Sequence, residues 1–208
     1  MATIKLNPII TDIRNRMGSN VFSKWKGINY IRGYAPPTNR KTADQEAVRS
    51  TFSRLVSIWK GLGTAAQKTW VVFATGRNMS GYNAFISENF ENMKADLALI
   101  IAQPMEEEAI SGFLANPGDT AGSIICSFQP PAGIGKEITL FTQRVASGNG
   151  NSGTAITRYE GAVSGSSATI SGLEPGSGYH VYAVVTDGPY ATAKKVSSSV
   201  AAEVTART

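Results

Sequence analysis

Two periodicities divide the chain. Val21 to Trp25 and Ile28 to Arg32 alternate apolar with polar side chains on either side of Lys26-Gly27, the pattern of antiparallel strands meeting at a tight turn. The run Ala35-Pro36-Pro37-Thr38-Asn39-Arg40 then breaks regular structure, because neither proline can donate to a ladder or continue a helix. From Thr42 the apolar spacing changes to three and four. Val48, Phe52, Leu55, Val56, Trp59 and Leu62 predict an amphipathic helix, opened by Thr42 and Gln45 at capping-box spacing and closed by Gly61 and Gly63. Thr64 with Gln67 repeats the cap ahead of a shorter apolar face at Trp70, Val71 and Phe73-Ala74. A third helix is expected from Ser80, with Tyr82, Phe85, Ile86, Phe90 and Met93 as its stripe. A lone two-stranded ribbon is marginal in water, so these helices are expected to cover the hairpin.

Farther along, the period returns to two. Ile110–Leu114, Ser123–Phe128, the alternating Ile138, Leu140, Thr142 and Arg144, Ala155–Tyr159, Ala168–Leu173, Tyr179–Thr186 and Val196–Val204 predict seven strands, and the Gly, Asn and Ser run from Ser147 to Gly153 reads as a hairpin tip. Between the fifth and sixth strands, Leu173 ends an apolar run, Pro175 and Gly176 reverse the chain, and Tyr179 opens the next run with Val181, Ala183 and Val185 inward. This is a tyrosine corner, in which the phenol packs against the sandwich edge and its hydroxyl returns to the backbone upstream. His180 falls on the opposite side of that strand, at the expected sandwich surface. The fold class is thus an α+β N-terminal domain, a β-hairpin plus about three short helices, followed by an all-β sandwich.

Charge sharpens the division. Residues 1–94 carry fourteen Lys and Arg against five Asp and Glu, and residues 95–208 carry six against ten, within a formal net charge of +5. A boundary is expected at Gln103-Pro104-Met105, ahead of Glu106-Glu107-Glu108, because a proline and a charge run mark a solvated connector. That gives domains 1–103 and 104–208, and 208 residues suit two domains of ordinary size. In the first, Lys24, Lys26, Arg32, Arg40, Lys41, Arg49 and Arg54 form a candidate docking or polyanion surface. Trp25 or Tyr30 could offer a stacking plane there, although Trp25, Tyr30, Trp59, Trp70 and Phe85 follow the periods of a small core.

Bond-making chemistry finds no residues to assign. The single cysteine, Cys126, excludes an internal disulfide and a thiolate metal cluster; it alternates with strand neighbours as a small core residue, and the only histidine is His180. Three consecutive glutamates repel one another and point to different sides, and Gly133-Ile-Gly135-Lys136 lacks the spacing and the Ser/Thr of a phosphate loop. No catalytic, metal or cofactor-binding residue is expected, and no cofactor. The longest apolar run, Leu97–Ala102, is far too short to cross a bilayer. The amino-terminal residues, MATIKLNPIITDIRNR, lack the continuous apolar stretch of a signal peptide.

Two resemblances follow. Lys24-Trp-Lys-Gly-Ile-Asn-Tyr-Ile-Arg32, the prolines at 36 and 37, Thr42-Ala-Asp-Gln45, Arg49 with Phe52, Trp59, Leu62, Trp70 and Ser80-Gly-Tyr-Asn-Ala-Phe85 resemble small uncharacterised proteins encoded in phages and prophages, over about the first ninety residues. The second half resembles a fibronectin type III domain. Its specific match is the corner formed by Leu173, Pro175, Gly176 and Tyr179, with Phe128 standing where that family usually has a buried tryptophan. Together they imply a non-enzymatic structural or accessory protein of a phage-type virion, made in the host cytoplasm. The N-terminal domain would anchor it to other virion proteins, with self-association in a repetitive assembly, and the sandwich would be displayed for adhesion or stabilisation. The alternative expectation is a nucleic-acid-binding protein that uses the basic N-terminal surface.

Overall fold

A computed structural model describes residues 2–7, 12–36, 38–129, 131–133, 135–145, 155–159 and 165–208. The expected Gly, Asn and Ser tip at 147–153 lies outside the described residues. Its contacts divide the chain into two compact units, Met1–Thr42 and Ala43–Thr208.

The first unit is one antiparallel sheet of four strands: β1 (Ala2–Thr3), β2 (Asn15–Met17), β3 (Asn20–Trp25) and β4 (Ile28–Gly33), in the order β1-β4-β3-β2. The expected hairpin is its centre. Trp25 pairs with Ile28, and both loop residues have positive φ, Lys26 at 48° and Gly27 at 84°, as a two-residue turn between right-twisted strands requires. None of this unit's described residues is buried.

The second unit opens with α1 (Ala43–Gly61), α2 (Gly63–Phe73) and α3 (Gly81–Lys94). Seven strands follow: β5 (Leu114–Pro117), β6 (Ile124–Ser127), β7 (Glu137–Arg144), β8 (Ile156–Arg158), β9 (Ser167–Ile170), β10 (Gly178–Thr186) and β11 (Val200–Thr205). They make a three-stranded sheet, β5-β6-β9, and a four-stranded sheet, β11-β10-β7-β8, the layering of a fibronectin type III-like sandwich. The first of these strands lies later than its expected place at 110–114, although Ile110 is buried in the sandwich core. Phe128 is buried in that core too.

β10 explains how the layers join. Tyr179, Val181, Ala183 and Val185 face the core between the sheets, while Tyr182 and Val184 join a second core shared with the helices. The strand is buried from Tyr179 to Thr186, so His180, expected at the surface, is 5% exposed. Its Nε2 lies 3.1 Å from the carbonyl of Asp96, just beyond α3. The four-stranded sheet is therefore covered on both faces, which turns an expected alternation into an unbroken buried run.

The helices pack on this sheet and on one another, in one compact unit with it. Their core holds Leu55, Ile58, Leu62, Trp70, Phe85 and Met93 with Phe141, Ile156, Tyr182, Val184, Tyr190 and Val196 of the sandwich. Close approach of α3 to α2 depends on Gly81, where a Cβ would stand 2.7 Å from the Val71 backbone nitrogen. Ser80 caps α3 by accepting from the Asn83 N–H at 3.2 Å. The second expected cap is not made: α2 starts at Gly63 behind Leu62, and Gln67 donates instead to the Trp59 carbonyl at 2.8 Å.

The segment that leads into the expected connector is a strap with a buried side, while Pro104, Glu106 and Glu108 of the connector itself are exposed. Leu99, Ile101 and Ala102 are at most 3% exposed, and the strap's backbone is tied from both sides. Asn89 of α3 accepts from the Ile100 N–H at 2.7 Å and donates to its carbonyl at 3.0 Å; Trp70 Nε1 donates to the Ile101 carbonyl at 3.1 Å. From the sandwich side, the Tyr182 hydroxyl accepts the Leu99 N–H, and Ser199 Oγ accepts that of Ile101, each at 3.1 Å. The chain then bridges Met105 to Val196, while Glu106 pairs with Lys195 and Glu107 with Lys136. Hydrogen bonds of this kind offset the cost of taking a chain's polar groups out of water, so such a chain can run through a protein interior.

Candidate docking surface

The basic residues singled out in the sequence do not form one surface of one unit. Lys24, Lys26, Arg32, Arg40 and Lys41 belong to Met1–Thr42, and all five are exposed; Arg49 and Arg54 belong to the second unit. Arg54 is only 7% exposed, and its guanidinium meets Asp96 at 3.2 Å, so it is a buried ion-pair member. Periodicity misplaces it because α1 turns Thr51, Arg54, Leu55 and Ile58 inward, leaving Val48 and Phe52 of the expected stripe exposed.

The strand register defines the faces of the N-terminal sheet. Trp25 opposite Ile28, Ser23 opposite Tyr30, Val21 opposite Arg32, Thr3 opposite Tyr30 and Arg16 opposite Val21 share one face. The other carries Phe22 opposite Ile31, Ala2 opposite Ile31, Met17 opposite Asn20 and Lys24 opposite Asn29. On the first face Thr3, Trp25, Ile28 and Tyr30 line a depression of about 390 Å³. Trp25 is 65% exposed, Ile28 54%, Met17 70% and Tyr34 44%, a dense set of large apolar side chains for so small a unit.

Two cations rest on these rings. The Lys26 ammonium sits 4.8 Å from the centroid of Trp25, and the Arg16 guanidinium 3.9 Å from that of Tyr34, each drawn by the ring's negative face. Lys24 lies in β3, which ends at Trp25, and Lys26 belongs to the turn. Arg14 pairs with Asp12 at 2.8 Å. The unit holds eight Lys and Arg against that single Asp.

The sandwich offers less. At the edge between β8 and β9 lies a cleft of about 440 Å³, lined by residues that include Arg144, Arg158, Tyr159 and Glu174, with Arg144 and Glu174 ion-paired across it. At its rim the tyrosine corner forms as read from the sequence: the Tyr179 hydroxyl accepts the Glu174 N–H at 3.0 Å, five residues upstream. Cys126 is fully buried, and burial pushes its thiol up to about 12, so it stays protonated and unreactive at neutral pH. Burial likewise raises Tyr190, whose hydroxyl donates to the Leu62 carbonyl at 2.6 Å and accepts the Ala66 N–H at 3.1 Å. Tyr182, Tyr190, Asn89 and Ser199 were not singled out in the sequence. Their signal was the absence of polar alternation in Tyr179–Val185 and a tyrosine in the β10–β11 loop.

No family model and no curated protein matches the chain. Among solved structures it is similar to the FN5 domain of Drosophila Lar, at 16% identity and a TM-score of 0.33, over 48% of this chain and 97% of that one. It is also similar to the FN1–FN3 domains of chicken CNTN1, at 16% identity and a TM-score of 0.34, over 51% of this chain and 34% of that one.

Proposed function

We propose that this protein is a non-catalytic structural component of a repetitive, phage-type particle. Met1–Thr42 attaches it, and the helix-and-sandwich unit is the part displayed. One observation carries the reading: the N-terminal sheet has no buried residue among those described, while the second unit holds two full cores. A sheet gains most of its stability from covering one face, so a small sheet with both faces open is suited to completion by something it binds. Repetition in a particle would let weak individual contacts hold. Density-gradient banding of particles from the native host tests this. The full chain is expected to band with the particles in fixed stoichiometry, and a chain starting at Ala43 to be lost from them. Recovery of the full chain only outside the particle fraction would overturn the reading.

A further inference from the structure

We propose that the partner of the N-terminal sheet is a different polypeptide, one whose contact surface has an apolar centre and an acidic rim. The proposal rests on the attachment role given to this unit above and names the chemistry of what it attaches to.

Three observations select that occupant. The first is charge. With eight Lys and Arg against one Asp, two such sheets repel, which disfavours pairing between the N-terminal units of two copies. The second unit of another copy is a poor counterpart as well, because its fourteen Asp and Glu are nearly balanced by twelve Lys and Arg, and Asp96, Glu106, Glu107 and Glu174 are paired with Arg54, Lys195, Lys136 and Arg144. Complementarity therefore calls for carboxylates from another chain.

The second is the kind of surface left open. Trp25 and Tyr34, with Arg16 over the Tyr34 ring and Arg32 on the face of Trp25, are the residue types enriched at the centres of protein interfaces, and acidic residues, depleted there, are nearly missing. The Trp25–Ile28–Tyr30 depression would hold an apolar anchor, and the surrounding cations would meet a carboxylate rim.

The third separates a protein from a nucleic acid. A strand of DNA or RNA needs cations placed for phosphates and flat rings for bases. Here three of the eight cations, Lys26, Arg16 and Arg14, are engaged with Trp25, Tyr34 and Asp12, and between Trp25 and Tyr30 the depression is lined by the aliphatic Ile28, which offers bases no stacking plane. Its exposure is relieved by apolar side chains.

The test is photo-cross-linking of the full chain in its native cells, with a benzophenone-bearing amino acid at position 28 and, as a control, at position 97 on the second unit. Cross-linked peptides are sequenced, and the polypeptide recovered is purified for binding measurements. The expected result is one polypeptide other than this chain, linked from position 28 through a segment combining apolar residues with Asp and Glu. Its affinity should fall roughly thirtyfold on Trp25→Ala. Should Trp25→Ala disturb the sheet, the Arg16→Glu, Arg32→Glu double variant, altered only at exposed side chains of the same face, should slow association and flatten its salt dependence. Cross-links to nucleic acid, to this chain itself in one copy or between two, or to a basic segment would overturn the proposal, as would no cross-link at all. Particle banding is scored separately, so the attachment role can survive the loss of this inference.

Discussion

Two stretches of the chain look like connectors, and only one separates compact units. Residues 35–42 and residues 103–108 both combine proline with a run of charge or polarity, yet the unit boundary falls at Thr42, and the second stretch, exposed at Pro104, Glu106 and Glu108, follows a strap in which Leu99, Ile101 and Ala102 are buried. The difference lies in partners. Asn89, Trp70, Tyr182 and Ser199 meet the backbone of the strap, and Lys195 and Lys136 meet two of the three glutamates that follow it. A proline and an acidic run mark a segment unable to form regular structure; whether it separates two compact units depends on what the rest of the fold offers the chain beside it.

The sharpest way to break this comparison is to cut at each place. A fragment of residues 104–208 would expose Phe141, Tyr182, Val184, Tyr190 and Val196, each worth about 1.5–3 kcal/mol when buried, and is expected to lack a cooperative unfolding transition. Residues 43–208 should keep one. A 104–208 fragment that unfolds cooperatively on its own in urea would restore the boundary expected from composition.

Trp70→Ala comes next. Its ring is fully buried against Phe73 and Phe85 and its Nε1 holds the strap, so a loss of about 3–5 kcal/mol is expected, with helices and sandwich unfolding together. Circular dichroism and tyrosine fluorescence should report one shared midpoint; separate midpoints would mean that the strap does not couple them. Asn89→Leu removes the clamp on Ile100 and should cost roughly 1–3 kcal/mol for each backbone group left without a partner.

Tyr179→Phe should cost about 1 kcal/mol through loss of the corner hydrogen bond, read as a shift in urea midpoint with the slope unchanged. Smallest of all, Trp25→Ala should move the stability of the second unit by less than about 0.5 kcal/mol, since Trp25 belongs to the other unit and is mostly exposed. A larger change would show that the two units are thermodynamically coupled.

Local signals were legible. The Lys26-Gly27 turn, three helices, seven strands and the tyrosine corner each rest on short-range spacing that the structure keeps. What escaped was which side of an element would meet something distant. The alternate residues of β10 could be sorted into two faces from the sequence, but not that helices would bury the second face and draw His180 in with it. Arg54 escaped for the same reason: a cation on a helix reads as solvated until Asp96, far along the chain, is brought beside it. The candidate site was half legible, because five of its seven cations lie exposed in the N-terminal unit, whereas the open apolar faces that give them meaning are completed by strands β1 and β2, which periodicity did not reveal.

Tyr190 carries a last consequence. Loops at the ends of a sandwich are usually where sequence drift, insertions and new recognition accumulate. Here the loop after β10 sends a ring into the corner between α1 and α2 and exchanges hydrogen bonds with both sides of it. That loop has become a bolt: lengthening it or replacing its tyrosine would loosen the helices, so diversification of this protein should be sought at other loops of the sandwich.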